Sequence, residues 1–376
     1  MKLHYVTTYE PSHETLGGAS WVDRHIISTF ASQFDVAISS VSNKDGSDGH
    51  VKLEVRGDKS AAARTILRMI RHSEPYFSAK LRSDRNWNGR GRDISSRIVG
   101  EPSIVVTSQL PALLLLLDHG IKVDLHIAHN VDAVLAREYD PLPFRILRNS
   151  LRTEAMEKNV LRLPTSVAAL SIRDVERLRS WGIESSHWKL AGGSTTSTRR
   201  TGRIGFLGKG TWPPNIAAID YLTERVMPLV KNAMGEAAPT VVVGGRGTSR
   251  WDSYPGVEVV GEVESAADFY GSVDVVVVPR MGSATGISVK MLEAISSGVP
   301  VIVPEQLAAD AGLENGYYAA GSAEETADRI VRYYTADPGV TVRDYVEERG
   351  VETGLPECVA QLLLDRDRGP LTGDER

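Results

Sequence analysis

The chain has 376 residues, 41% apolar and 24% charged, with a formal net charge of −5. That is an ordinary soluble globular composition, long enough for two domains. A single cysteine, Cys358, excludes a disulfide framework and a cysteine-rich metal site. The opening MKLHYVTTYEPSHETLGG has no signal-peptide h-region, and the longest apolar run, LPALLLLL (110–117), is too short to span a bilayer. A cytoplasmic protein is therefore expected.

Charge is uneven along the chain. Residues 1–195 carry 26 Lys+Arg against 22 Asp+Glu, and the remainder carries 17 against 26. The asymmetry supports two domains. Either the first domain meets an anionic partner or its surface is simply rich in arginine.

In chain order, KLHYVTTY predicts a first strand, and ETLGGASWVDRHIISTFASQF a glycine turn running into an amphipathic helix. DVAISSVS and VKLEV predict two more strands, and AAARTILRMIRHS a helix. That helix is read as packing on the sheet with Arg64, Arg68 and Arg71 solvated, in preference to touching an anionic membrane. The stretch KLRSDRNWNGRGRDISSR (80–97) is polar and basic and predicts a mobile surface loop. Trp87 within it could offer a flat wall to an acceptor. SIVVTSQL predicts a strand, PALLLLLDHG a helix, KVDLHIAHN a strand, and Val131 to about Val160 one long helical region. PTSVAALS and RDVERLRSWG follow as strand and helix. Alternation of this kind implies a parallel doubly wound sheet.

The Gly/Ser/Thr-rich segment AGGSTTSTRRTGR (191–203) predicts a linker. The expected division is an N-terminal domain over 1–190, a C-terminal domain over 204–345 and a last helix within 346–376. The second domain alternates again: RIGFLG, strand; TWPPNIAAIDYLTERVMPLV, helix; APTVVVGG and GVEVVGEV, strands; ESAADFYGS, helix; VDVVVVP, strand. Then come a glycine loop, the helix SVKMLEAIS, the strand VPVIVP and the helix EETADRIVRYYTAD.

The stretch PRMGSATGISVKMLEAISSGVPVIVP (279–304) carries the most chemistry. A glycine loop entering a helix N-terminus offers backbone N–H groups and a positive helix end to an anion. Glu293 follows on the helix, suited to a ribose or sugar hydroxyl, and Lys290 lies three residues before it. Lys290 either pairs with Glu293 or touches the anion. Arg280, directly after the strand, is a further cation near the same place.

This pattern resembles the donor site of retaining GT-B glycosyltransferases of family 4 (group 1), whose signature is typified by EGFGLVVLEA; TGISVKMLEA aligns with it without a gap. Four more stretches resemble the same family: LGGASWVDRHI (16–26), HNVDAVLAREY (129–139), GFLGKGTWPPN (205–215) and VVVGGRGTSR (241–250). The resemblance implies two Rossmann-like α/β domains facing a cleft, with a last helix crossing back to the first domain. It implies that Gly17 and Gly18 lie beside the donor phosphates and sugar, and that His129 serves at the donor sugar. It implies that Lys209, Arg246, Thr285, Gly286, Ile287, Ser288 and Glu293 hold the nucleotide sugar. The implied reaction is transfer of a sugar from a nucleotide-diphosphate donor to an acceptor (natural product, glycan or lipid), with retention and without metal. No cofactor, nucleic acid or catalytic metal is expected. His126 and His129, three apart on a strand, fall on opposite faces and do not share a metal.

One departure matters. The family's first glutamate falls on Thr285, which can hydrogen-bond a hydroxyl but carries no charge. It keeps open a non-catalytic partner protein of the same fold. A nucleotide-sugar epimerase of this fold is the other alternative. A dinucleotide dehydrogenase is disfavoured, because neither YEPSHETLGG nor LGKGTWPP reads GxGxxG.

Overall fold

The computed structural model describes residues 2–11, 18–42, 49–52, 59–100, 102–190, 200–280, 285–313 and 316–336. The described residues form two compact units that part between Lys189 and Leu190. Most of the expected linker (191–199), the expected C-terminal helix and Gly17 lie outside the described residues.

In the first unit, β1 (Lys2–Tyr9), α1 (Gly18–Ala31) and β2 (Asp35–Ser42) lead to three helices, α2 (Lys59–Arg71), α3 (Tyr76–Arg82) and α4 (Trp87–Ile98). Then follow β3 (Ser103–Ser108), α5 (Leu110–Asp118), β4 (Leu125–Ala128), α6 (Asp132–Tyr139), α7 (Leu142–Ile146), α8 (Asn149–Val160), β5 (Ser166–Ala169), α9 (Ile172–Ser180) and β6 (Ser186–His187). The strands form one sheet in the order β2-β1-β3-β4-β5-β6, and every pairing is parallel. Strand β3 is buried along its whole length, as a parallel strand covered on both faces must be. The leucine run forms α5, a core helix opened by Pro111 at its first turn, with Leu110 and Leu113 to Leu116 all buried.

The second unit repeats the plan. It comprises β7 (Arg203–Leu207), α10 (Pro213–Tyr221), α11 (Met227–Met234), β8 (Thr240–Gly244), β9 (Val257–Gly261), α12 (Ala266–Gly271) and β10 (Val275–Val277). It continues through α13 (Val289–Ser296), β11 (Val301–Val303), α14 (Glu305–Asp310), β12 (Tyr318–Ala319) and α15 (Ala323–Thr335). The sheet order is β12-β11-β10-β7-β8-β9, again parallel throughout. Asp274, just before β10, is a polar hub. It accepts from the Thr201 and Arg203 N–H groups at 2.9 Å each and from Tyr334 Oη at 3.0 Å.

Three expectations are corrected. The stretch 80–97 is not a loop: it closes α3 and forms most of α4. Trp87 is 2% exposed, and its Nε1 donates to Asp118 Oδ2 at 2.9 Å, so it is a core residue and no acceptor wall. The stretch is polar in sequence because its arginines find partners: Arg82 of α3 grips Asp118 through two bonds, and Arg90 of α4 reaches the Ser40 carbonyl at 2.6 Å. The region 131–160 breaks into α6, α7 and α8, because Pro141 and Pro143 cannot continue α6. Val51 and Lys52 lie outside any strand, and residues 53–55 of that expected strand lie outside the described residues. Helix α2 buries Ala61, Thr65 and Met69 but leaves Ile66, Leu67 and Ile70 exposed, so its bulky aliphatic residues are not the ones packed inward.

Candidate active site

Each unit gathers a set of polar groups at the C-terminal ends of its strands, where open α/β sheets take ligands. In the first unit, β1, α1, β3 and β4 converge on Asp23, which is completely buried. Tyr5 Oη donates to Asp23 Oδ1 at 2.7 Å, Ser108 Oγ to the same oxygen at 2.5 Å, and Thr7 Oγ1 to Oδ2 at 2.5 Å. His129 Nε2 lies 2.8 Å from Ser108 Oγ and 3.6 Å from Asp23 Oδ1. Ser108 has one proton and gives it to Asp23, so Nε2–H of His129 donates to Ser108. Burial alone would raise the Asp23 carboxyl. The bonds and charge of His129, with bonds from Ser108 and Thr7, outweigh it and hold the group below its usual value. Tyr5 is pushed well above its usual value by burial and by Asp23.

His129 borders a cavity of about 160 Å³ together with Thr8, Phe77, Gln109, Asn130 and Asp132. Gln109 stands at φ +67°, ψ +154°, a backbone region that L residues rarely occupy. Its buried Nε2 has no hydrogen-bond partner. The N–H groups of Asp132 and Ala133 donate to Glu157 at 2.7 and 2.8 Å, so α8 caps α6 just beyond His129. His126 faces elsewhere: its Nδ1 is 2.9 Å from Thr107 Oγ1, and burial, then the charge of His129, lowers it to about 3. The two histidines therefore have different partners, as strand alternation requires. Gly18 opens α1, the helix that carries Asp23.

In the second unit the turn after β7 is built of glycines for steric reasons. A Cβ on Gly210 would collide with the Gly247 carbonyl, and one on Gly245 (φ +124°) with the Gly208 carbonyl. This interlock sets Asn215 in the first turn of α10. Asn215 Nδ2 donates to the Lys209 carbonyl at 2.9 Å, and Asn215 Oδ1 accepts from Lys290 Nζ at 2.9 Å. The Lys290 ammonium also lies 5.2 Å from the centre of the Phe206 ring. Burial, then the nearby charge of Arg280, lowers Lys290 to about 8 against the pull of Glu293.

Helix α13 starts at the expected loop. Thr285 and Ser288 are buried, Gly286 has φ +69°, and Ser288 Oγ has no hydrogen-bond partner although it caps the helix start. The first N–H groups of an α-helix have no acceptor within it, so this end offers backbone donors to an oxyanion. Glu293 is half-buried and fixed by Tyr270 Oη, which donates to its Oε2 at 3.0 Å. Thr285, Gly286, Ile287, Ser288 and Glu293 thus share one loop and helix. The remaining two expected donor residues are placed differently. Lys209 is exposed in the interlocked turn, and Arg246 forms an exposed ion pair with Glu262 at 2.9 Å.

Residues 201–336 match the family model described as glycosyl transferases group 1. The match falls in the second unit and covers a little over a third of the chain. The fold agrees. Sucrose-phosphate synthase from Thermosynechococcus elongatus is similar with a TM-score of 0.59 and 13% identity, covering 98% of this chain and 99% of that one. WaaG, a glycosyltransferase involved in lipopolysaccharide biosynthesis, is similar with a TM-score of 0.56 and 11% identity over 99% and 100% of the two chains. HepE of Anabaena, crystallised with UDP and glucose, gives a TM-score of 0.55 and 10% identity over 97% and 99%. A comparison with curated sequences finds no match. The architecture is GT-B, and the family-model match supports glycosyl transfer as the activity class.

The resemblance had picked out His129 and the α13 loop. It had not picked out Asp23, Ser108, Gln109 or Tyr270, and Asn215 entered only as the last residue of the stretch GFLGKGTWPPN. For Asn215 a signal existed: an amide in the first turn after Pro-Pro, beside a glycine turn, is placed to bridge two loops.

Proposed function

We propose that the chain transfers a sugar from a nucleoside-diphosphate donor to an acceptor, with retention at the anomeric carbon and without a metal. The observation that carries this reading is the start of α13, where the unpartnered Ser288 hydroxyl stands at the helix N-terminus and Lys290, in the first turn, feels the charge of Arg280. A diphosphate is an anion that fits helix-end donors plus point charges. As the glycosidic bond breaks, negative charge grows on the departing diphosphate. Donors already in place stabilise that charge without reorganising. Glu293, fixed by Tyr270, accepts from ribose hydroxyls, and Thr285 meets a hydroxyl of the donor sugar. His129, oriented through Ser108 and Asp23, serves at the donor sugar, and Gly18 and Gly17 let backbone approach it. No cofactor takes part, since the donor is itself a substrate. Lys209 supplies a further charge, and Arg246 does so once it leaves Glu262. UDP is the first nucleotide to test, because HepE was crystallised with it.

The test is calorimetric titration with UDP, GDP, dTDP and CDP in buffer containing EDTA. One nucleotide is expected to bind. Glu293→Ala is expected to weaken it by about 10- to 100-fold, the range for losing charge-assisted hydrogen bonds. Binding that requires added divalent cation would overturn the metal-free reading. If no nucleotide binds, the protein is instead a non-catalytic partner of the same fold. Donor-sugar turnover without acceptor would point to an epimerase.

A further inference from the structure

Helix α2 turns an apolar face outward. Ile66, Leu67 and Ile70 project from the first unit, Ile70 at 74% exposed. Helix α7 buries none of its residues, and Leu142 and Ile146 are 69% and 71% exposed. The two helices belong to one face. Arg152 Nη1 on α8 donates to the Met69 carbonyl at 3.0 Å, the Tyr76 N–H donates to Asn149 Oδ1 at 2.7 Å, and the Tyr76 and Phe144 rings lie 4.5 Å apart.

The same face is cationic. Residues 59–73 and 141–152 contain seven Lys and Arg and no Asp or Glu, in a chain whose net charge is −5. Arg145 bonds the carbonyl oxygens of Asp140 and Glu138, and Arg152 bonds that of Met69. Those bonds place the guanidinium groups without neutralising them. Among the described side chains of these residues, Arg68 has a close carboxylate, Glu74 at 2.6 Å. In helical projection Arg64, Arg68 and Arg71 lie between the exposed aliphatic stripe and the buried one. An aliphatic stripe flanked by arginines is how a helix lies in a membrane interface.

We propose that this α2–α7 face docks on an anionic lipid bilayer. The exposed isoleucines and leucines enter the boundary between headgroups and acyl chains, and the arginines meet lipid phosphates. A second copy of the chain is disfavoured as occupant, since it would set like charge against like charge. The aliphatic side chains are exposed and flanked by arginines, which suits an anionic lipid surface. The inference does not rest on the catalytic reading.

The test is co-sedimentation of the full chain with vesicles of phosphatidylcholine, alone or with phosphatidylglycerol added. Binding is expected only with phosphatidylglycerol and is expected to weaken as salt rises. Ile70→Ser with Ile146→Ser should lower partitioning at least about tenfold, because buried methylene groups supply the apolar part of such binding. Arg71→Glu with Arg148→Glu should remove the phosphatidylglycerol dependence. These positions are exposed, and circular dichroism of both double variants should match the parent. Absence of binding to phosphatidylglycerol vesicles, or binding unaffected by both double variants, would overturn the proposal. So would a concentration-dependent dimer, seen by sedimentation velocity and abolished by Ile70→Ser with Ile146→Ser, or phosphatidylglycerol binding with no salt dependence.

Discussion

The two polar clusters reach similar ends by different routes. The one in the second unit is local: Thr285, Gly286, Ser288, Lys290 and Glu293 lie within nine residues, on one loop and one helix. The one in the first unit is assembled by the sheet. Tyr5 and Thr7 come from β1, Asp23 from α1, Ser108 from the end of β3 and His129 from the residue after β4. A local site is written as a motif. An assembled one is written as single residues far apart, each unremarkable in its own segment. Binding an anion needs only convergent donors, and a helix end supplies them. Orienting one imidazole takes hydrogen-bond partners on separate strands.

The sharpest way to break this comparison is His129→Ala. If the first unit serves the chemical step and the second holds the nucleotide, the loss falls on turnover. We expect kcat to drop by about 10²–10³, the cost of one preorganised group at a reacting centre. The affinity for nucleoside diphosphate, measured by calorimetry, should stay within about threefold, since that ligand lacks the sugar. A parallel loss of nucleotide affinity would mean that the two clusters do not divide the work. Ser108→Ala should give a smaller fall in kcat, because it removes only the link that fixes Nε2–H.

A second test uses pH. Lys290 is lowered to about 8 by burial and by Arg280, so the ligand-free protein loses this cation as pH rises through 8. Affinity for nucleoside diphosphate should therefore fall above pH 8, and in Lys290→Met it should be weak and flat over the same range. The stability effect runs the other way. The unfolded lysine titrates near 10.5, so between pH 8 and 10.5 the unfolded state binds more protons, and folding stability gains from Lys290 as pH rises across that window. Below pH 8 the full cost of a buried cation remains in the folded state. Lys290→Met should then stabilise the ligand-free protein at pH 7 by about 1–2 kcal/mol, after the lost bond to Asn215 is counted. Thermal unfolding across pH would show both signs. A destabilised Lys290→Met at pH 7 would mean that the Asn215 bond outweighs the burial cost.

Legibility followed the same division between local and assembled. Two parallel α/β sheets could be read from alternating runs such as VDVVVVP and SIVVTSQL, and the α13 loop from its glycines. The stretch 80–97 misled because its surface and core residues are interleaved. Trp87, Ile94 and Ile98 are spaced as one helical face, with Gly91 on the same face, yet arginines dominate the composition. Gly91 lies against the His119 imidazole, where any Cβ would collide. Three apolar residues at helical spacing were the available signal. Nothing comparable marks Asp23. An acid in an amphipathic helix reads as a surface residue until β1 and β3 are brought beside it.

Gln109 refines the comparison at the smallest scale. It joins β3 to α5 in a left-handed backbone region, and it borders the same cavity as His129. Its N–H is bonded to the Ile127 carbonyl at 3.0 Å, which ties the strained residue to β4 two residues before His129. Strain of this kind costs about 1–3 kcal/mol and persists only where surrounding structure enforces it. Glycine removes the steric cost but adds freedom to the unfolded chain, so Gln109→Gly should change stability by less than about 1 kcal/mol in either direction. Gln109→Ala keeps the strain, loses the amide, and should leave stability near that of the parent, because the amide nitrogen has no partner to lose. If the amide serves a ligand, both variants lower acceptor-dependent turnover to the same extent while nucleotide affinity stays constant. If the backbone shape is what matters, Gln109→Ala remains active and only Gln109→Gly falls. Unchanged turnover in both would leave the strain as a consequence of packing Leu110 and Pro111 into α5.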